Sequence, residues 1–80
     1  MTIKELVSNS STGNLLQIFK GIYYCVSIDN IICRYKYNET DKLIEKYGNR
    51  KLMKVRYTVR DNVFEIYLYC EYSNYNGLHI

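Results

Sequence analysis

The residues of this chain best suited to chemistry are Cys25, Cys33, Cys70 and His79. Thiolate and imidazole are soft metal ligands, but a zinc site needs about four donors converging at a recognisable spacing. No two of these residues sit in a knuckle, and hairpin pairing sends Cys25 and Cys33 to opposite faces. A cysteine nucleophile needs a nearby histidine to form thiolate. His79 is the only histidine, and it lies in a tail without pattern. Acid–base catalysis needs carboxylates converging in a pocket. Glu65 and Glu71 are spread along one strand face, and Glu39, Asp41 and Glu45 read as helix charges. The four glycines form no phosphate loop. The chain therefore reads as non-enzymatic, without metal or cofactor, its cysteines packed as small hydrophobes.

A different chemistry is written in alternation. Lys54, Arg56, Thr58 and Arg60 share one side of a strand, beside Glu65, Tyr67, Tyr69 and Glu71 on the next. Tyr23, Arg34 and Lys36 extend this face if an earlier hairpin joins the same sheet. Arg and Tyr dominate protein-interface hot spots, which suits an acidic protein surface. Single-stranded nucleic acid could use the same groups, with bases on Tyr and phosphates on Lys/Arg. An ordinary solvated sheet face also carries such cross-strand pairs. The candidate partner residues are Lys54, Arg56, Arg60, Tyr67, Tyr69, Tyr23, Arg34 and Lys36.

Two hairpins must position them. Asp29-Asn30 separates Ile22–Ile28 from Ile31–Tyr37, and Asp61-Asn62 separates Lys51–Arg60 from Val63–Tyr72. Asp and Asn tolerate the positive φ of two-residue hairpin turns. In the second hairpin the pairs Val59/Phe64, Tyr57/Ile66, Val55/Leu68 and Met53/Cys70 are apolar on both sides, and this face is expected to be core. The alternate pairs Thr58/Glu65, Arg56/Tyr67 and Lys54/Tyr69 are polar or aromatic. A one-residue slip would exchange the faces, so the pattern specifies the register. In the first hairpin Val26/Cys33, Tyr24/Tyr35 and Ile22/Tyr37 share one face, with Ser27/Ile32, Cys25/Arg34 and Tyr23/Lys36 on the other.

Thr2 to Asn9 predicts a short helix with Ile3, Leu6 and Val7 on one face and a capping box from Thr2 to Glu5. Residues 9 to 14 read as a polar loop. Leu15 to Lys20 fits helix or strand, and the apolar run before Gly21 favours strand. Residues 38–47 predict a second helix, capped by Asn38 or Thr40, with Leu43, Ile44 and Tyr47 inward and Gly48 as its stop. The expected fold is α+β: a single antiparallel sheet from two hairpins, with both helices packed on one face. Residues 1–72 form one domain, and 73–80 are expected to be a flexible tail.

Composition narrows the class. With 80 residues, 48% of them hydrophobic, and ten tyrosines, the chain is too apolar for disorder and is biased to sheet. A net charge of +3 is mild for a dedicated nucleic-acid binder. Lys4 and Glu5 stand where an export leader would turn apolar, and no apolar run has membrane length. A cytoplasmic location and no membrane partner are expected.

The opening Met1–Leu6, and the stretch Leu43-Ile44-Glu45-Lys46-Tyr47-Gly48 followed by a basic strand, an Asp-Asn turn and Ile66-Tyr67-Leu68-Tyr69, resemble short proteins of phages and mobile elements of low-GC Gram-positive bacteria. Some small phage proteins of this kind inhibit bacterial defence, anti-CRISPR proteins among them, by occupying a surface on a host nuclease complex. The resemblance implies a bacterial host cell, a host protein or complex as partner, and inhibition by occlusion. The alternatives from the residues alone are a small basic nucleic-acid-binding module and an accessory protein that forms homo-oligomers through a strand edge.

Overall fold

The computed structural model describes residues 1–10 and 12–70. Helix α1 (Ile3–Ser8) starts at the predicted capping box: the Thr2 N–H donates to Glu5 Oε1 at 2.8 Å, and the Glu5 N–H donates to Thr2 Oγ1 at 3.3 Å. Two of its free N-terminal donors find acceptors across the fold, Ile3 N–H on the Arg50 carbonyl and Lys4 N–H on the Gly48 carbonyl. Helix α2 (Thr40–Tyr47) lies inside the expected 38–47, but neither Asn38 nor Thr40 caps it. Glu39 holds the N-cap position, and its side chain turns back to accept from the Lys36 N–H at 2.9 Å. Gly48 follows the helix in a right-handed rather than a left-handed conformation. Its φ is −57°, and a Cβ there would run into the Ile44 carbonyl and side chain.

The strands are β1 (Gly21–Ile28), β2 (Ile31–Lys36), β3 (Leu52–Arg60) and β4 (Val63–Cys70). Both turns put positive φ where expected, 52° and 66° at Asp29 and Asn30, 53° and 63° at Asp61 and Asn62. All the predicted pairs of the second hairpin from Val59/Phe64 to Lys54/Tyr69 are present, and Arg60 pairs with Val63 at the turn. Met53/Cys70 is not. A bulge between Leu52 and Lys54 pairs Leu52 with Cys70 and leaves Met53 59% exposed. The Leu52 N–H is tied to the Met1 carbonyl at 2.9 Å and Thr2 bridges Lys51, so the start of β3 is pinned and the extra residue is pushed outward. The first hairpin also has its expected register, except that Ile22 and Tyr37 meet only through a hydrogen bond from the Tyr37 N–H to the Ile22 carbonyl.

The four-stranded sheet has the order β2-β1-β4-β3, and β1 runs parallel to β4. The expectation of a purely antiparallel sheet is corrected on this point. After β2, α2 carries the chain across one face to the opposite edge, so β3 enters there and β4 returns beside β1. Alternation along a strand is blind to this, because parallel and antiparallel neighbours keep the same two faces.

Leu15 to Lys20 is not a strand. Thr12–Gln17 forms a 3-10 helix, which also takes the place of part of the expected polar loop. The Leu15 carbonyl then accepts from both Ile18 and Phe19 N–H at 2.9 Å. The segment packs against the second hairpin instead, with Phe19 stacked on Phe64 and the Lys20 N–H bonded to the Asn62 carbonyl at 2.6 Å.

One core joins the elements: Ile3 and Val7 of α1, Leu43 and Tyr47 of α2, and Tyr24, Val26, Ile28, Ile66 and Leu68 of the sheet. Tyr47 packs edge-on against Tyr35 and lies 3.2 Å from Cys33 Sγ, fixing α2 over β2. Val55 and Phe64 are half-buried at its margin, whereas Tyr57 and Val59, expected inside, are on the inner face but exposed. The expected tail at 73–80, with Glu71 and Tyr72 of the last predicted strand, lies outside the described residues.

Candidate functional site

The sheet order brings the alternating polar residues of both hairpins onto one outer face. Registers across all four strands set them in rows: Ile32, Ser27, Tyr69, Lys54; then Arg34, Cys25, Tyr67, Arg56; then Lys36, Tyr23, Glu65, Thr58. Arg60 continues the face beside Val63 at the turn end. All eight candidate partner residues therefore share this face. Tyr23, Tyr67 and Tyr69 stand on the central strands β1 and β4; the cations Arg34, Lys36, Lys54, Arg56 and Arg60 stand on the edge strands β2 and β3.

Side-chain geometry ties the two hairpins together. The Arg34 guanidinium lies over the Tyr23 ring, 3.9 Å from its centroid, and reaches past it to Glu65 at 3.3 Å. Thr58 donates to the other Glu65 oxygen at 3.3 Å. Arg56 sits 4.9 Å from the Tyr67 centroid and Lys54 5.8 Å from that of Tyr69. The rings of Tyr67 and Tyr69 stack at 6.4 Å with 22° between their planes. Such cation–π contacts contribute about 0.5–1 kcal/mol each at exposed sites. Within the three rows Glu65 is the sole carboxylate, against Arg34, Lys36, Lys54 and Arg56. The face thus carries a positive surplus laid over an aromatic band. An open hollow of about 320 Å³ between Arg34, Arg60, Asp61, Glu65 and Tyr67 marks its turn end.

Comparison of the chain with protein-family models, curated proteins and solved structures yields no match. The site is therefore read from its own chemistry.

Two of the thiols are held in the protonated form. Burial, and then the Glu65 carboxylate, push the Cys25 thiol up, so it stays protonated at neutral pH. Burial pushes Cys70 up to about 11. The Cys33 contact and burial together push the Tyr47 phenol up to about 12. Among the described residues no group of three or more His, Cys, Asp or Glu converges as a metal site, and His79 lies outside them. No helix among the described residues is long and apolar enough to cross a membrane.

Sequence reasoning missed an apolar surface on the inner face of the second hairpin. Phe19, Phe64 and Tyr57 form a ladder of stacked rings, with centroids 5.1 Å apart in the first pair and 5.8 Å in the second. Tyr57, Phe64 and Ile66 line an open hollow of about 320 Å³ with Leu6 and Leu15. Apolar alternation assigns such residues to a core; only the position of the helices decides whether they are covered.

Proposed function

We propose that this chain is a non-catalytic binding domain whose outer sheet face engages an acidic protein surface and acts by occluding it. The observation that carries this reading is the aromatic band of Tyr23, Tyr67 and Tyr69, each ring already attended by a cation. Arg and Tyr presented together on a rigid strand framework are the commonest anchors of protein interfaces. A nucleobase would have to displace Arg34, Arg56 or Lys54 to stack on these rings. The cation surplus nevertheless supports nucleic acid as a second reading. The resemblance to short phage proteins supports placing the partner in a host defence system, where the chain would act as an anti-CRISPR-like inhibitor in the bacterial cytoplasm.

The test is capture from a bacterial host lysate with and without nuclease, repeated with the Arg56→Ala/Tyr69→Ala double variant. The expected result is a nuclease-resistant protein partner that the variant loses while its melt stays near wild type. Two hot-spot truncations at about 2 kcal/mol each weaken binding by roughly a thousandfold. Capture that vanishes with nuclease, or falls steeply with salt, selects the nucleic-acid reading.

A further inference from the structure

Strand β3 is an edge: among the described residues β4 is the one strand beside it, and only its start, at Leu52, is also bonded to Met1. A two-residue turn makes Arg60/Val63 a hydrogen-bonded pair, and such pairs alternate along an antiparallel ladder. Thr58, Arg56 and Lys54 therefore bond to β4, whereas the N–H and C=O groups of Val59, Tyr57 and Val55 point away from the sheet. The side chains of this edge are divided in the same rhythm. Val55, Tyr57 and Val59 are on the inner face, and the last two are exposed. Lys54, Arg56 and Arg60 are on the outer face.

Exposed edges are usually blunted by charge to prevent pairing between copies. The cations of β3 serve that end. Every antiparallel self-pairing centred from Val55 to Thr58 sets cation against cation: Lys54 against Arg56, Arg56 against itself, Lys54 against Arg60, or Arg56 against Arg60. Like charges directly opposite one another are destabilising. Protection alone does not account for Tyr57 and Val59, which add apolar surface where a purely defensive edge would be polar on both sides.

We propose that β3 accepts an added strand from its protein partner, one that alternates apolar and acidic residues. The apolar residues of that strand would lie beside Val55, Tyr57 and Val59. Its carboxylates would meet Lys54, Arg56 and Arg60. Backbone bonds to the outward groups supply attachment, and the alternating pockets supply selectivity. This inference rests on the acidic-partner reading above and adds where the partner enters and in what conformation.

The probe is a fluorescein-labelled nine-residue peptide alternating valine and glutamate, with a valine/lysine peptide as control, titrated against the full chain. The expected result is saturable binding of the glutamate peptide at least tenfold tighter than that of the lysine peptide. Val59→Pro removes an outward N–H and no bond to β4, a position at which an edge strand tolerates proline. It is expected to weaken the peptide at least tenfold with a cooperative melt retained. Arg56→Glu, which keeps every backbone bond, is expected to shrink the preference for the glutamate peptide at least tenfold, because Lys54 and Arg60 remain. Binding that survives Val59→Pro but is lost in Tyr69→Ala overturns the added strand and leaves the acidic-partner reading standing. Equal binding of both peptides, or of neither, overturns the added strand, and the acidic-partner reading is then decided by the capture experiment. A dimer in sedimentation that Val59→Pro dissociates shows instead that a second copy occupies the edge.

Discussion

In the first hairpin the inward tyrosine of β1, Tyr24, is 1% exposed; in the second, Tyr57 of β3 occupies the same cross-sheet row and is 62% exposed. The two hairpins share a turn sequence and turn conformation, and both place alternate side chains on opposite faces of the sheet. What separates the two tyrosines is their place in the sheet. β1 is central, with α1 and α2 over its inner face; β3 is the edge beyond that cover. The same alternation therefore produces core in one place and an unpartnered surface in the other.

Replacing each tyrosine by alanine tests this most severely. Tyr24→Ala removes a buried ring and its contact with Thr12 Oγ1 at 3.4 Å, and is expected to cost about 3–5 kcal/mol. A domain this small has little more stability than that, so the variant should be largely unfolded. Tyr57→Ala should cost about 1 kcal/mol, mostly the lost stack on Phe64. Urea denaturation reads both, and a cost at Tyr57 near that at Tyr24 would show that the β3 row is covered after all.

The valines give a finer version. Val26 is 0% and Val59 58% exposed on the same inner face. Val26→Ala should cost about 2 kcal/mol and Val59→Ala no more than about 0.5 kcal/mol, both from denaturant midpoints.

Alkaline titration separates the hairpins chemically. Tyr47, held against Cys33 of the first hairpin, is raised from its ordinary value of 10 to about 12, and Cys70 of the second from 9.0 to about 11. Both ionise more readily in the unfolded chain, so their contributions are fully present at neutral pH. The Cys70 part should be lost from pH 9 to about 11, and the Tyr47 part from pH 10 to about 12. Cys70→Ala should flatten the earlier decline in stability and Tyr47→Phe the later one. A melting temperature constant across that range would contradict both assignments.

The smallest effect concerns what the hairpins share. Asn30 and Asn62 have φ of 66° and 63°, which glycine adopts without steric cost. Asn30→Gly and Asn62→Gly should each stabilise by about 0.5 kcal/mol or less, and equally. A clear inequality in melting temperature would mean that the two turns are strained by different surroundings.

The sequence alone carried much of what depends on neighbours along the chain, though not the cap of α2. The Thr2–Glu5 capping box, the two Asp-Asn turns and the pairing of Thr58 with Glu65 or Cys25 with Arg34 follow from spacing, because turn geometry and side-chain alternation are local. The gathering of Tyr23 and Arg34 with Tyr67 and Arg56 on one face was legible only on the condition that both hairpins joined one sheet. Tertiary structure decided the rest. The parallel pairing of β1 with β4 depends on where α2 delivers β3; the bulge at Met53 depends on the pinning of Leu52 by Met1; and Leu15 to Lys20 leaves the sheet where Phe19 stacks on Phe64. Burial of Tyr24 and exposure of Tyr57 were likewise undecidable from alternation, which sorts residues onto a face while the helices across the sheet determine which part of that face leaves water.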